Sequence, residues 1–226
     1  MWSYRSRYAP SLHQAADPEV NSMKRSLEGL FVRRPRVLNL LHSANLVNAT
    51  SQTIPAELDA LERYAAGACG ALEIGTHQGV SAARIAGALA PDGILYCVDP
   101  WPVTEKRGTN PCWSICQRHL RHSGAENRIR ILRGSSRAMA SQVPEQLDFA
   151  FVDGDHSWEG IRTDWMIVSE KMLVGGLVCL HDSFTPAGEG WRHPDSCVYF
   201  EKVIHNDDRF SLIDVVHSLA VLRKIK

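Results

Sequence analysis

LDFAFVDGDHSWEGIRTDW, residues Leu147 to Trp165, changes character in its middle. Its first six residues are apolar except Asp148, and Asp153, Gly154, Asp155 and His156 follow without a break. From about Ser157 the apolar positions recur every three or four residues, at Trp158, Ile161 and Trp165 and then at Val168 and Met172. A short apolar run reads as a strand buried on both faces, and the later spacing reads as a helix with one core-facing stripe. The stretch is therefore a strand, a polar turn and a helix. The turn admits four readings: a tight turn, a helix cap, a metal site or a catalytic base.

The same alternation extends in both directions. Upstream, ALEIG (71–75) is an apolar burst ending in glycine, and VSAARIAGALA (80–90) sets Val80, Ala83, Ala86, Ile85 and Leu89 at helical spacing. GILYCVD (93–99) is a second burst, and RIRILRG (128–134) alternates before a glycine. Downstream, GGLVCLHD (175–182) is another buried strand. Such strands, alternating with helices, make a parallel sheet covered on both faces. The ending differs. RFSLIDVV and SLAVLRKI are separated by His217 alone, too closely for a crossover helix, which predicts an antiparallel hairpin at the sheet edge.

Before the first strand, IPAELDALERYAAG (54–67) carries Pro55 near its first turn, apolar Leu58, Leu61 and Tyr64, and Gly67 as a stop, which predicts a helix. Residues 1–52 lack a strong period. MKRSLEGLFV (23–32) and RVLNLLHSANLV (36–47) are short helix candidates there, assigned to a cap or oligomer contact. The expected organisation is an N-terminal cap over 1–52 and one α/β domain over 53–226.

The 226 residues suit such a domain with a smaller appendage. Lys+Arg and Asp+Glu both number 25, so no global charge recruits nucleic acid or a membrane surface. The first fifty residues hold seven basic and three acidic side chains, densest at RRPR (33–36), and a solvated surface explains this more simply than a nucleic-acid arm. Six cysteines lie scattered without a CxxC pair, which predicts reduced thiols and a cytoplasmic protein. No apolar run approaches membrane-spanning length, and MWSYRSRYAP has no signal-peptide core.

In an open parallel sheet, ligands bind beyond the carboxyl ends of the strands, near the reversal of strand order. Five strands here finish in ionisable or hydroxyl groups: Glu73 to His77, Asp99, Ser135 and Ser136, Asp153 to His156, and His181 to Ser183. In EIGTHQGV, Gly75 and Gly79 let the backbone turn sharply into a helix and approach a ligand. The loop is not GxGxxG, so a dinucleotide fingerprint is not supported. Asp99 can take both hydroxyls of a ribose or simply form a turn before Pro100. Ser135 in RGSS offers a hydroxyl at the height of an adenine edge.

In order, ALEIGTHQGVSA, GILYCVDPW, ILRGSS, LDFAFVDGDHSWEGIRTDW and LVGGLVCLHDS resemble the class I S-adenosylmethionine-dependent methyltransferases. More narrowly, they resemble the branch that includes O-methyltransferases of sugars and other natural products. The resemblance covers roughly residues 53–225. It implies a Rossmann-like, seven-stranded, mostly parallel sheet with a C-terminal antiparallel hairpin. S-adenosylmethionine would lie with its methionine part framed by Glu73, Gly75 and Gly79, with Thr76, Ser81 and Asp153 also on the cofactor side. Asp99 would hold the ribose and Ser135 would lie beside the adenine. Many members have glycine where this chain has His77, so that side chain must point away from the cofactor or help close the pocket.

Methyl transfer to a hydroxyl displaces an already activated carbon, so the protein must align the acceptor and make its oxygen nucleophilic. A cation lowers a hydroxyl pKa, and a base takes its proton. Asp153 and Asp182 end adjacent strands and can converge on a hard ion such as Mg²⁺. The resembled metal-dependent enzymes often carry a second carboxylate or amide beside the later aspartate; here the neighbours are His181 and Ser183, and His181 is the added candidate ligand. Asp155 is a spare ligand or a cap for the following helix. His156 matches the general-base position of the related sugar O-methyltransferases. Without that resemblance, a histidine packed at a helix start against a carboxylate is the simpler reading.

Trp191, Arg192 and His193, in the Gly/Pro-rich loop after Asp182, are candidate acceptor contacts. The expected activity is Mg²⁺-assisted methyl transfer to a hydroxyl of a sugar or natural product. The expected assembly is a homodimer with no nucleic-acid or membrane partner. The alternatives are a metal-independent O- or N-methyltransferase, a non-catalytic cofactor-binding scaffold, and, more remotely, a dehydrogenase.

Overall fold

The computed structural model describes residues 35–44, 46–102, 110–185 and 194–226. Trp191, Arg192 and His193, and the expected helix over 23–32, lie outside the described residues. The chain divides into two units, 1–48 and 49–226. In the first, helix α1 (Pro35–Ser43) overlaps the candidate helix over 36–47 and stops four residues before its end.

The second unit opens with α2 (Pro55–Ala65), whose Pro55 occupies a first-turn position where no amide hydrogen is needed. Strand and helix then alternate as β1 (Gly70–Ile74), α3 (Val80–Ala88), β2 (Ile94–Asp99), α4 (Pro111–His122) and β3 (Ile129–Arg133). There follow the short α5 (Ser136–Met139), β4 (Leu147–Val152), α6 (Trp158–Lys171), β5 (Met172–Leu180) and α7 (Pro194–Tyr199). The chain ends in β6 (Phe210–Val216) and β7 (Leu219–Lys224).

These strands form one seven-stranded sheet in the order β3-β2-β1-β4-β5-β7-β6. The first five run parallel, and β7 pairs antiparallel with both β5 and β6. The expected hairpin at the sheet edge is present, with β7 innermost. Strand order reverses between β1 and β4, which places a ligand crevice at their carboxyl ends. Those ends are in register, with Ile74 opposite Val152 and Val152 opposite Leu180. Beyond the ladder the Asp153 N–H donates to the Ile74 carbonyl at 2.8 Å, and the His181 N–H to that of Val152 at 3.0 Å. The polar turns after three strands are thus laced side by side.

The central strands feed a separate core on each face, which is why their sequences read as continuous apolar runs. Ala71, Cys97, Phe149, Phe151 and Cys179 meet Leu61, Ala82, Ile85 and Leu120 from α2, α3 and α4. Leu72, Ala150, Val152, Val178 and Leu180 meet Ile161, Trp165 and Val168 from α6 and Phe200 beyond α7.

Three helix faces differ in detail from the predicted stripes. In α2 the buried residues are Glu57, Ala60, Leu61 and Ala65, while Leu58 and Tyr64 lie at the margin. Small alanines face α3 and let the helices approach closely, and the Tyr64 hydroxyl donates to Asp214 at 2.6 Å. In α3 the buried face is Ser81, Ala82, Ile85 and Ala86. In α6 Trp158 is exposed and packs edge-on against Tyr199, while Ile161, Trp165 and Val168 are buried. Among the described residues no helix is long and apolar enough to cross a membrane.

Candidate active site

At the reversal point of the sheet lies a cavity of about 720 Å³, within the range of small-molecule sites. Ten of the residues singled out from the sequence stand in its wall: Gly75, Thr76, His77, Ser81, Asp99, Ser135, Ser136, Asp153, Asp155 and His156. Glu73 and Gly79 do not line it. Gly75 has φ +93°, and a Cβ there would fall 1.9 Å from the Asp153 carbonyl oxygen, so only glycine lets the β1 and β4 turns touch. Gly79, with φ +81°, is the N-cap of α3.

Glu73 is fully buried behind the loop. Cys97 Sγ donates to its Oε2 at 3.6 Å, and its Oε1 has no hydrogen-bond partner. Burial raises this carboxyl to about 7, although the hydroxyls of Ser81 and Thr76 pull the other way.

Asp99 forms the turn that the sequence allows. Its carboxylate accepts the His77 N–H at 2.8 Å and the Trp101 N–H at 2.7 Å, shaping the turn, while the side chain still borders the cavity. His77 has φ +49°, a left-handed conformation that favours glycine. Its ring reaches towards α4, with Nε2 3.3 Å from Cys112 Sγ, and its carbonyl accepts the Trp101 indole N–H at 2.7 Å. Ser135 is the N-cap of α5, its Oγ accepting from the Ala138 N–H at 3.3 Å.

At one end of the cavity the turns after β4 and β5 bring four donors together. Asp153, His156, His181 and Asp182 each offer an atom, all within 4.8 Å of one another. The atoms alternate around a closed quadrilateral. His156 Nε2 lies 3.5 Å from Asp153 Oδ1, which lies 3.1 Å from His181 Nδ1. His181 Nδ1 lies 3.3 Å from Asp182 Oδ2, which lies 3.0 Å from His156 Nε2. Asp182 holds φ +50°, the kind of unfavourable backbone that persists where surrounding structure imposes it. Asp155 takes no part: it is exposed, and its carboxylate accepts the Ser157 N–H at 3.0 Å, while Ser157 caps α6.

Charge in this cluster is strongly displaced. Burial disfavours the imidazolium of His156, but Asp153 and Asp182 outweigh it and push the ring up to about 9. For His181 the same carboxylates and Glu57 overcome burial and push it up to about 12. Asp153 falls to about 2 and Asp182 is held well below the usual carboxylate range, despite burial, by the two histidines. Two carboxylates and two imidazoles converging in this way attract positive charge to their centre, either protons or a metal ion.

Glu57 escaped the sequence reading. Only 1% exposed, its carboxylate lies 3.1 Å from His181 Nε2 and accepts Ser218 Oγ–H at 2.7 Å and the N–H groups of Ser218 and Ile54. Burial raises its pKa, but these donors bring it down to about 2. Its place as the third helical residue after a proline is a legible N-terminal cap; the contact with His181, 124 residues away, has no local signal.

The model of a family described as a methyltransferase domain matches residues 72–183. No curated protein matches the sequence. Among solved structures, cofactor-bound Rv0187 from MTB is 15% identical, covering 92% of this chain and 98% of its own, with a TM-score of 0.64. An O-methyltransferase from Bacillus cereus in complex with SAH is 18% identical over 92% of this chain and 99% of that one, with a TM-score of 0.60. The O-methyltransferase TomG from Streptomyces achromogenes, involved in tomaymycin synthesis and solved with SAM, is 17% identical over 92% and 98%, with a TM-score of 0.59. At such identities these three share the fold. With strand order, hairpin and cavity position in agreement, the chain has the fold of the class I S-adenosylmethionine-dependent methyltransferases, and its residues 72–183 match a methyltransferase domain.

Proposed function

We propose that the protein transfers the methyl group of S-adenosylmethionine to a hydroxyl of a small molecule, with a divalent cation at the Asp153–His156–His181–Asp182 cluster. One observation carries this reading. Asp153 and His156 belong at once to the cavity wall and to the four-donor cluster, so methyl donor and cation would be neighbours. The O-methyltransferases from Bacillus cereus and Streptomyces achromogenes support the choice of oxygen as acceptor.

S-adenosylmethionine would supply a methyl carbon made electrophilic by its sulfonium; the acceptor's oxygen–carbon bond would form as the carbon–sulfur bond breaks, and the hydroxyl proton would pass to His156 or, where His156 is a ligand, to solvent. A bound cation would lower the pKa of that hydroxyl. Gly75 would let the backbone close on the cofactor, and Asp99, which holds the His77 turn, would accept from two ribose hydroxyls. Ser135 and Thr76 offer hydroxyls along the same wall. His156 has two possible duties that exclude each other: Nε2 takes the acceptor's proton, or it is spent as a ligand. Its 3.0 Å approach to Asp182 supports the ligand. The Mg²⁺ read from the sequence sits less well with two imidazoles among four donors.

On sequence grounds, residues 1–52 are assigned to a cap or dimer contact, and Trp191, Arg192 and His193 to contacts with the acceptor. Six cysteines without a disulfide support a reducing, cytoplasmic setting. The test is turnover of S-adenosylmethionine against a panel of sugars, phenols and glycosylated natural products, before and after chelation. Product should appear with at least one hydroxylated acceptor and fall on metal removal. Turnover that survives complete chelation removes the cation from the mechanism, and binding of cofactor without turnover on any acceptor points to a scaffold.

A further inference from the structure

We infer that the four-donor cluster selects a borderline first-row dication, of the class of Mn²⁺, Fe²⁺, Co²⁺ or Zn²⁺, over Mg²⁺. His156 would serve as a ligand rather than a free base, and Glu57 as the positioning residue for His181. The inference rests on the cation site of the proposed function but not on methyl transfer itself.

Donor chemistry comes first. Mg²⁺ is a hard ion that takes oxygen ligands in near-ideal octahedra and keeps several waters. Imidazole nitrogen suits later first-row ions, whose affinities for mixed N/O sites exceed those of hard ions. Half of the donors here are nitrogen. Carboxylate sites for Mg²⁺ have no use for two histidines pointed inward from different turns.

Spacing agrees. Ligands held ~2.1 Å from a common ion stand roughly 3.0–3.4 Å apart along the edges of an octahedron or tetrahedron. The four sides of the quadrilateral measure 3.5, 3.1, 3.3 and 3.0 Å. One oxygen of each aspartate approaches both histidines, which is the pattern of atoms arranged about a shared centre rather than of two separate ion pairs.

The third observation is His181. Its side chain is 6% exposed, and its Nδ1 makes no hydrogen bond although two carboxylate oxygens stand 3.1 and 3.3 Å away. An N–H settles on a line with one acceptor; this nitrogen aims between two. Its other nitrogen, Nε2, lies 3.1 Å from the buried Glu57 carboxylate, which can only accept. Glu57 therefore holds the proton on Nε2, so that a cation displacing the Nδ1 proton would meet the Nδ1 lone pair, the arrangement by which carboxylates orient and strengthen histidine ligands. Glu57 is itself held by Ser218 and by the first turn of α2, so this ligand is fixed from outside the cluster.

The experiment uses the full chain, stripped by chelation and dialysed, and titrated calorimetrically with CoCl₂ and separately with MgCl₂, with no methyl donor or acceptor present. Co²⁺ should bind one per chain, about a hundredfold or more tighter than Mg²⁺, and develop the visible absorption of nitrogen-and-oxygen ligation. His156→Ala and His181→Ala should each weaken Co²⁺ at least tenfold, and Glu57→Gln about ten- to a hundredfold. Glu57 also caps α2, so its variant is read only where circular dichroism matches the parent. His156, on the cavity side of the cluster, carries the test if Glu57→Gln does not fold. Mg²⁺ binding as tightly as Co²⁺, no Co²⁺ binding, or unchanged Co²⁺ affinity in His156→Ala overturns the inference. A Co²⁺-binding protein with no turnover refutes the proposed function instead, so the two failures are separable.

Discussion

Replacing Glu73 with Gln should stabilise the protein, and increasingly so as pH rises. Glu73 is fully buried, and burial lifts its carboxyl from 4.5 to about 7. Below about pH 4.5 the acid is protonated in folded and unfolded chains alike, and glutamine is a close neutral substitute. As pH climbs past 4.5 the unfolded chain releases its proton while the folded chain retains it, so the folded state loses stability until the pH passes about 7. At about 1.36 kcal/mol per pH unit, that window amounts to about 3 kcal/mol by pH 8, against about 1.4 kcal/mol at pH 5.5. The advantage of Glu73→Gln over the parent should therefore grow by about 2 kcal/mol between these two conditions. Urea denaturation of both chelator-treated proteins at each pH measures it, and taking the difference cancels the titrations they share. An advantage that is the same at both pH values would refute the buried, proton-retaining carboxyl.

Two further outcomes follow from the cavity wall. Gly75→Ala places a methyl group 1.9 Å from the Asp153 carbonyl oxygen at a φ of +93°. It should cost about 3 kcal/mol or more and abolish cofactor binding, measured by thermal unfolding and calorimetry with S-adenosylhomocysteine; near-parental binding would show that the β1 and β4 turns do not need to touch. Asp99→Ala removes acceptors for the His77 and Trp101 amides as well as the proposed ribose contact. It should lower stability by about 1–2 kcal/mol and cofactor affinity at least tenfold; a loss of stability with unchanged affinity would leave Asp99 as a turn former only.

The elements were legible because their signals are local. LDFAFV reads as a strand without knowledge of its neighbours, and the interval between RFSLIDVV and SLAVLRKI leaves room only for a turn. The polar residues after each strand were legible for the same reason: a change from apolar to ionisable within one residue marks the end of a buried strand. Helix faces were less so. The α2 stripe was expected at Leu58, Leu61 and Tyr64; Leu61 is buried, yet beside it the helix buries Ala60, Ala65 and a glutamate. A contact between two helices rewards small residues as readily as large ones, and periodicity weighted by hydrophobicity passes over both alanine and a satisfied carboxylate.

The sequence by itself determined an α/β sheet with a terminal hairpin and a row of chemistry-bearing turns along one edge. It also named Asp153, Asp182, His156 and His181, because strand ends and motif spacing are properties of contiguous residues. Only the tertiary structure decided how these residues divide their work. Strand register set Asp153 beside His181, leaving Asp155 outside the cluster to accept the Ser157 N–H while both histidines faced the carboxylates. It also brought Glu57 from the first turn of α2 to the back of His181. Distances of 3 Å between residues over a hundred positions apart are set by packing of whole elements against the sheet, and no local pattern encodes them.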